Sequence, residues 1–143
     1  MKLTEKDSEL INLLRGNARC SISELARQMK VSRAAVQQRF NKLEQNGTID
    51  GFTVVLSDEF LESQVRALIM IKFPPNKRAK IVTALNLIRQ VAALYSISGT
   101  YDMAGVIAAQ SMQELDRIID QIGCLQGIEQ TMSSIILSTK IMR

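Results

Sequence analysis

The sequence predicts an α+β fold in which three short helices precede a β-α-β-β-α-β sandwich. Three observations support this prediction. Apolar residues recur at helical spacing through residues 1–46, a period-two alternation begins near residue 48, and residues 65–139 then alternate between strand-like and helix-like segments. The length of 143 residues, with 46% hydrophobic and 22% charged residues, fits one globular domain or two small ones.

The first fifty residues predict three helices, of which the second and third form a helix-turn-helix. Thr4 is a suitable N-cap for the first helix, and Ser23 and Ser32 are expected to cap the other two. Lys30 and Val31 form the short turn between them. Apolar residues at i, i+3, i+4 spacing predict the buried sides, which comprise Leu10, Ile11, Leu14, Ile22, Leu25, Ala26, Met29, Val36, Phe40 and Leu43.

The remaining residues predict strands and two helices. "TIDGFTVVLS" alternates and is expected to be a strand, "DEFLES" a polar connection, and "VRALIMIKF" the next strand. A helix over 77–90, a tight hairpin of "VAALYSIS" and "DMAGVIAA", a helix begun by a Ser111–Glu114 capping box and a last strand "IEQTMSSIILSTKI" follow. The order over residues 65–139 is that of a ferredoxin-like sandwich. The expected domains are therefore 1–50, a strand and linker at 51–64, and 65–143.

Apolar residues are predicted on both sides of the sheet. The last helix is expected to bury Met112, Leu115, Ile118, Ile119 and Ile122. The uncovered sheet face should carry Leu68 and Met70, with Ile135 and Leu137 as possible companions. An apolar sheet face without a cover favours a homodimer joined through the sheets.

Composition excludes several kinds of site. Histidine is absent, and the two cysteines lie far apart without metal-ligand spacing, so we expect no metal, no cofactor and no histidine-based catalysis. Both cysteines are expected to be buried as small apolar residues. No apolar run approaches the roughly 20 residues of a membrane span, and the N-terminus lacks a secretory segment, so a cytoplasmic location is expected.

The third helix combines a buried side with a polar side suited to DNA. Residues 19–42 hold six basic residues against one acid, a local excess that favours a polyanionic partner. Arginine and glutamine side chains can contact guanine and adenine edges, and Ser32 at the helix N-terminus suits a phosphate. A purely structural helical bundle is the alternative. The predicted DNA-binding residues are Ser32, Arg33, Ala34, Gln37, Gln38, Arg39, Asn41 and Lys42. Arg39 lies nearer the buried edge of the helix, so it is expected to contact phosphate or to form a structural ion pair, not to read bases.

Over nearly its whole length the chain resembles the Lrp/AsnC, or feast/famine, transcriptional regulators. The resemblance rests on "ISELARQMKVS", on "SGTYD" at 98–102, and on an ordered series of single residues. That series is Leu3, Asp7, Ile11, Leu14, Val36, Arg39, Leu43, Glu44, Gly47, Ile49, Gly51, Phe52, Gly127 and Ile128. The family often has glycine where Lys30 stands and aspartate where Thr4 stands. Lys30 must therefore adopt a strained conformation, or the turn must differ.

The resemblance implies a DNA-binding regulator that assembles as a homodimer and further as a tetramer, octamer or larger oligomer, and that responds to a small effector, commonly an amino acid. It implies an effector site at Gly99, Thr100, Tyr101 and Asp102, to which we add Met112, Thr131, Ser133 and Ser134 as neighbours. Backbone N–H groups near Gly99 could hold a carboxylate, and Asp102 could pair with an ammonium group. Ordinary hairpin chemistry is the alternative for this loop. Two further alternatives for the chain are a DNA-architectural protein without effector response and an enzyme resembling sirohaem decarboxylases.

Overall fold

The structure is a computed structural model that describes residues 3–142 of the chain. The chain divides into two compact units, Met1–Val55 and Leu56–Arg143. Within residues 3–142, no helix is long and apolar enough to cross a membrane.

The first unit contains three helices, α1 (Glu5–Gly16), α2 (Ile22–Met29) and α3 (Arg33–Gln45). Their apolar stripes form one core of Leu10, Leu14, Leu25, Ala26, Met29, Val36 and Leu43. Thr4 and Ser32 are the N-caps of α1 and α3, as predicted. The predicted N-cap of α2 was wrong by two positions. Ser21 is the N-cap, because its Oγ accepts the N–H of Glu24, and Ser23 lies inside the first turn.

The turn between α2 and α3 contains Lys30 in the left-handed region, with φ 54° and ψ 45°. A strained backbone at Lys30 was one of the two outcomes expected for a residue other than glycine at this position, and a different turn was the other. The conformation closes the helix end, because the N–H of Lys30 reaches Arg27 O at 3.3 Å and that of Val31 reaches Ala26 O at 3.1 Å.

The predicted strand over "TIDGFTVVLS" is absent, and its residues from Gly51 to Ser57 have no regular secondary structure. Val54 and Val55 are 77% and 87% exposed. The alternation of apolar residues favours an extended chain, but a strand also needs a ladder partner, and the described chain provides none. The following "DEFLES" was predicted as an irregular connection and instead contains the short helix α4 (Asp58–Glu62), capped by Ser57.

Besides α4, the second unit contains a four-stranded antiparallel sheet with two helices, as the sequence predicted. Its elements are β1 (Val65–Lys72), α5 (Arg78–Asn86), β2 (Val91–Ser96), β3 (Met103–Ala109), α6 (Met112–Gly123) and β4 (Gln130–Ile136), with a 3₁₀ turn at Pro75–Lys77. The strand order is β2-β3-β1-β4. This is the ferredoxin-like arrangement of a β-α-β-β-α-β unit.

The core of this unit lies between the helices and one face of the sheet. It contains Ala67, Ile69, Ile71, Phe73, Ile81, Leu85, Ile88, Met103, Ile107, Ala109, Leu115, Ile118 and Ile122. The prediction that Met112 is buried was wrong, since this first residue of α6 is 56% exposed. Glu114 also departs from the predicted capping box. Its carboxylate accepts from the N–H of Gln110 and from Gln90, while Ser111 Oγ accepts the N–H of Glu114.

The other face of the sheet carries exposed apolar side chains, as expected, but the prediction that Ile135 and Leu137 belong to it was wrong. Leu68 is 46% exposed, and Met70 lies opposite Met132 in the β1–β4 register. Ile135 lies opposite Ala67, which is on the helix-covered face, and Leu137 follows the end of β4. Side chains alternate between faces along a strand, so a shift of one residue exchanges the two faces.

The cysteines are both free, and the prediction that both are buried was wrong. Cys20 is half-buried, but Cys124 at the end of α6 is exposed. Within residues 3–142, no cluster of three or more histidine, cysteine, aspartate or glutamate residues could hold a metal ion.

Candidate functional site

One side of α3 presents a continuous polar surface. Helical spacing buries Val36 and Leu43 completely in the core of the first unit. Phe40 is half-buried beside them and stacks on Phe52, with ring centroids 6.0 Å apart. Seven exposed residues of this helix and its cap form what we call the α3 face: Ser32, Arg33, Ala34, Gln37, Gln38, Asn41 and Lys42. Glu44 and Gln45 in the last turn are also exposed but are not part of this surface.

The α3 face is partly organised by hydrogen bonds within the helix. Gln37 Nε2 donates to Asn41 Oδ1 at 2.7 Å, which fixes the two amides side by side. Ser32 Oγ accepts the N–H of Ala35 at 3.1 Å, so its hydroxyl proton still has freedom to donate outward. Gln37 and Asn41 are separated by one helical turn and point to the same side.

Arg39 differs from the other predicted DNA-binding residues because it is already paired. Its Nη1 donates to Asp7 Oδ1 at 2.9 Å and to Thr4 Oγ1 at 3.2 Å. The Asp7 side chain is 2% exposed and that of Arg39 is 32% exposed. Arg39 therefore joins α3 to the N-terminus of α1, and only its outer edge remains open to a phosphate.

Asp7 and Thr4 form a reciprocal capping box at the start of α1. Asp7 Oδ2 accepts the N–H of Thr4 at 3.0 Å, and Thr4 Oγ1 accepts the N–H of Asp7 at 3.2 Å. Hydrogen bonding to the Thr4 side chain, then to its backbone and to Arg39, lowers the pKa of Asp7 from 3.8 to about 2 despite its burial. Sequence reasoning missed Asp7 as a positioning residue, although the Thr4-x-x-Asp7 spacing of a capping box was visible.

The basic residues around α3 are not equally available. Arg27 pairs with Glu24 at 2.6 Å, and Lys6 donates to Glu9 and to Met29 O. Within residues 3–142, Arg33 and Lys42 have no ion-pair partner within 4.0 Å. The free positive charge of the helix is therefore concentrated on the α3 face.

The second candidate site is the loop over residues 97–102, which we call the β2–β3 loop. Gly99 has φ 122°, and no non-neighbouring atom lies within 4 Å of where its Cβ would stand. Gly99 and Thr100 are exposed, and Tyr101 is half-buried. The loop has six residues, which is longer than the predicted three-residue link, and its ends are joined by a hydrogen bond from Ile97 N to Asp102 O at 3.1 Å.

Asp102 anchors the β2–β3 loop to the end of β1. Its Oδ2 accepts the N–H of Phe73 at 3.0 Å, and its own N–H donates to Ile71 O at 2.9 Å. One carboxylate oxygen thus performs an ordinary structural task, and the half-buried side chain holds its negative charge beside the loop.

The structure brings together only part of the predicted effector set. Thr131 pairs with Ile71, at the end of the sheet that also carries the β2–β3 loop. Ser133 and Ser134 lie further along β4 and on opposite faces of the sheet. Met112 lies at the other end, in a groove beside Val65 and Ile136. A single copy therefore does not place Met112 next to the loop.

Comparison with known proteins identifies the two units. A family model described as winged helix-turn-helix DNA-binding matches residues 3–50, and one described as Lrp/AsnC ligand binding domain matches residues 66–143, more than half of the chain. The chain belongs to the Lrp/AsnC family. It is a transcriptional regulator with a DNA-binding helix-turn-helix and a ligand-binding domain. Within residues 3–142, the segment after α3 forms no β-hairpin wing.

Individual Lrp/AsnC relatives cover almost the whole chain. The transcriptional regulator LysM of Sulfurisphaera tokodaii is 34% identical over 134 residues, covering 93% of this chain and 94% of the relative. Regulator FL11 of Pyrococcus horikoshii is 27% identical over 137 residues, covering 96% and 91%. These relatives are regulators, which confirms that the chain is not an enzyme.

Solved structures agree with the fold. Escherichia coli AsnC has a TM-score of 0.89 at 27% identity, covering 100% of this chain and 97% of that one. A transcriptional regulator from Neisseria meningitidis, solved as an L-Met complex, has a TM-score of 0.86 at 19% identity, covering 96% and 91%. At that lower identity the likeness concerns the fold alone.

Proposed function

We propose that this Lrp/AsnC regulator binds specific DNA sequences through the α3 face and that its assembly or DNA affinity responds to an amino acid. The α3 face carries the first part of the proposal. It is an exposed helical surface in which side chains able to contact base edges lie between two unpaired basic residues. An α-helix fits the major groove of B-DNA, where base pairs present distinct patterns of donors and acceptors.

The residues of this surface have different proposed roles. Arg33, Gln37 and Gln38 contact base edges, and Ala34 permits close approach or contacts a thymine methyl group. Ser32 and Lys42 contact phosphates, and so does the outer edge of Arg39. Asn41 extends the reading surface through its bond with Gln37.

Truncation of two side chains tests base reading. We expect Arg33→Ala or Gln37→Ala to weaken binding to a specific operator by roughly 1–3 kcal/mol per site, with a smaller effect on random DNA. Arg117→Ala and Gln113→Ala are matched controls, since both lie exposed on α6 in the second unit. An equal loss on operator and random DNA would contradict base reading and favour an architectural protein.

The proposed effector site is centred on the β2–β3 loop. Backbone N–H groups around Gly99 are open to a carboxylate, and Asp102 offers a negative charge to an ammonium group. Thr100, Tyr101 and Thr131 are at the same end of the sheet. The Neisseria regulator solved with L-Met indicates that this fold can accommodate an amino acid.

A second copy of the chain is needed to enclose this loop, and we propose a homodimer that assembles further. The exposed apolar sheet face supports pairing through Leu68 and Met132, which are 46% and 48% exposed. Met112, Ser133 and Ser134 would contribute to an effector site only from a neighbouring copy or from its edge. We also propose that residues 1–50 bind DNA, 51–64 link the domains, and 65–143 bind effector and oligomerise.

A thermal-shift screen of the common amino acids tests the effector. Any amino acid that raises the melting temperature is then titrated against operator binding by the wild type and by Asp102→Ala. We expect the variant to keep basal DNA binding and lose the response. An equal response from both proteins would locate the pocket elsewhere.

The spacing of the two half-sites on DNA tests the proposed dimer. Two recognition helices related by a two-fold axis should contact half-sites about one helical turn, or roughly 34 Å, apart. Footprinting on an operator measures that spacing directly.

A further inference from the structure

Charge is unevenly distributed within the second unit. Residues 63–101 contain six basic residues and no acid, whereas residues 56–62 and 102–143 together contain three basic residues and eight acids. Three of the basic residues stand close together at the start of α5, and we call Lys77, Arg78 and Lys80 the α5 basic cluster. The proposed effector site does not include these three side chains, although Arg78 contacts Ser96, the residue just before the β2–β3 loop.

The α5 basic cluster is unfavourable for the helix that carries it. The amino end of an α-helix has a partial positive charge, which acidic residues normally offset. The first turn of α5 holds no acid, and no side chain caps it. Positive charges at a positive helix end repel each other, so this arrangement weakens α5 unless an anion is present.

Packing holds two members of the cluster at one end of the sheet. The Arg78 guanidinium lies 5.6 Å from the centroid of the Phe73 ring, and its Nη1 donates to Ser96 Oγ at 2.7 Å. The stem of Lys77 lies against Gly127, where a Cβ would come within 2.9 Å of Lys77 Cγ. Lys80 is exposed on the outer side of α5.

No member of the cluster has an ion-pair partner within 4.0 Å among residues 3–142. Two acids stand near it. Asp102 uses one carboxylate oxygen on the N–H of Phe73, and exposed Glu129 is bonded through its backbone to Lys72 O. The cluster thus keeps a net positive charge that faces solvent.

We propose that the α5 basic cluster is a second DNA-contact surface that binds the phosphate backbone without reading sequence. This proposal rests on the proposed DNA-binding function and adds a contact surface outside the helix-turn-helix. A DNA backbone supplies closely spaced negative charges, and neutralising them releases counterions whatever the base sequence. The repulsion at the start of α5 is relieved in the same step.

Charge reversal of the two lysines tests this surface in the full-length protein. In Lys77→Glu/Lys80→Glu, acids replace bases at the positive end of α5, so the melting temperature should rise. DNA affinity should nevertheless fall, and to the same extent on operator and random duplexes. The slope of log K against log salt should become less steep by about 0.9 for each phosphate that the variant no longer neutralises. A lysine that only supports the fold would not combine a gain in stability with weaker binding.

The control carries the same charge change elsewhere in the unit. Arg117→Glu/Lys140→Glu alters two exposed residues outside the cluster. A decrease in affinity and slope equal to that of this control would overturn the proposal, because net charge alone would then explain both. Glu129→Gln removes a nearby acid and should strengthen binding to random DNA, and unchanged or weaker binding would also count against the proposal.

Three other outcomes separate competing explanations. If the cluster instead contacts the acidic α6 of another copy, sedimentation without DNA will show altered assembly for Lys77→Glu/Lys80→Glu and an unchanged salt slope, which overturns the proposal. If Arg33→Ala reduces operator preference while the α5 variant matches its control, only this inference fails. If the α5 variant behaves as expected and Arg33→Ala affects all DNA equally, only base reading fails.

Discussion

The α3 face and the β2–β3 loop differ in how much of each site one copy of the chain provides. All seven residues of the α3 face lie on one helix and its cap, where a period of 3.6 residues places them on one side. The predicted effector set is drawn from a loop, a strand and the start of a helix, and Met112 lies at the far end of the sheet from Gly99. A helical surface is a local property of sequence, whereas a site on a sheet depends on register and on neighbouring copies.

The largest expected effect would break the support of the α3 face. Leu43 is fully buried in the first unit, so Leu43→Ala should lower the free energy of unfolding by roughly 2–5 kcal/mol. Its exposed neighbour provides the control, because Lys42→Ala should change stability by no more than about 0.5 kcal/mol and should weaken DNA binding. Urea unfolding followed by circular dichroism measures the stability of both variants. Similar stability losses in the two variants would mean that α3 is not anchored through its apolar side.

The Asp7 carboxylate, which is hydrogen-bonded to Thr4 and paired with Arg39, provides the next prediction, and its effect on stability should appear in acid. The pKa of Asp7 is lowered from 3.8 to about 2 in the folded chain, which corresponds to about 2 kcal/mol of stability. Because the folded pKa is the lower one, this contribution is complete above the unfolded value and is lost as pH falls through the folded value. Asp7→Asn should therefore destabilise the protein by about 2 kcal/mol at neutral pH and by progressively less below pH 3.8.

Thermal unfolding of Asp7→Asn and wild type between neutral pH and pH 2 measures this difference. Glu5→Gln is the control, since it removes an exposed acid from the same first turn of α1. A stability gap between Asp7→Asn and wild type that stays constant with pH would contradict the lowered pKa of Asp7.

Asp102 allows the structural and effector roles of the β2–β3 loop to be separated. Asp102→Ala leaves the N–H of Phe73 without its partner, which should lower stability by about 1 kcal/mol. Asp102→Asn retains an oxygen acceptor and should remain near wild type while losing the charge for an ammonium group. Calorimetric titration with the amino acid found by thermal shift measures binding. Full binding by Asp102→Asn would assign Asp102 a purely structural role.

The limits of sequence-based prediction follow the same division. The positions of α3, Ser32 and the buried Val36 depend on contacts a few residues apart, so helical spacing was enough to predict them. The residues after Gly51 were predicted as a strand because alternation signals an extended chain but does not supply the partner that makes a ladder. Ile135 was assigned to the wrong sheet face because the β1–β4 register is decided by pairing across the sheet. The place of Arg39 near the buried edge of α3 was enough to predict a phosphate contact or a structural ion pair, but its partner Asp7 is 32 residues away and was beyond local spacing.

The smallest expected effect concerns the turn that sets the angle between α2 and α3. Lys30 has φ 54°, and a left-handed residue with a side chain costs roughly 1–2 kcal/mol relative to a right-handed one. Glycine removes that strain but adds roughly 0.5–1 kcal/mol of chain entropy, so Lys30→Gly should stabilise the protein by about 0.5 kcal/mol. Lys30→Ala keeps the strain and also removes the charge, so it should be no more stable than wild type. If thermal unfolding shows both Lys30→Gly and Lys30→Ala to be less stable than wild type, the lysine contributes interactions that outweigh its backbone strain. An equal decrease of DNA affinity in both variants would then assign the remaining effect to its charge.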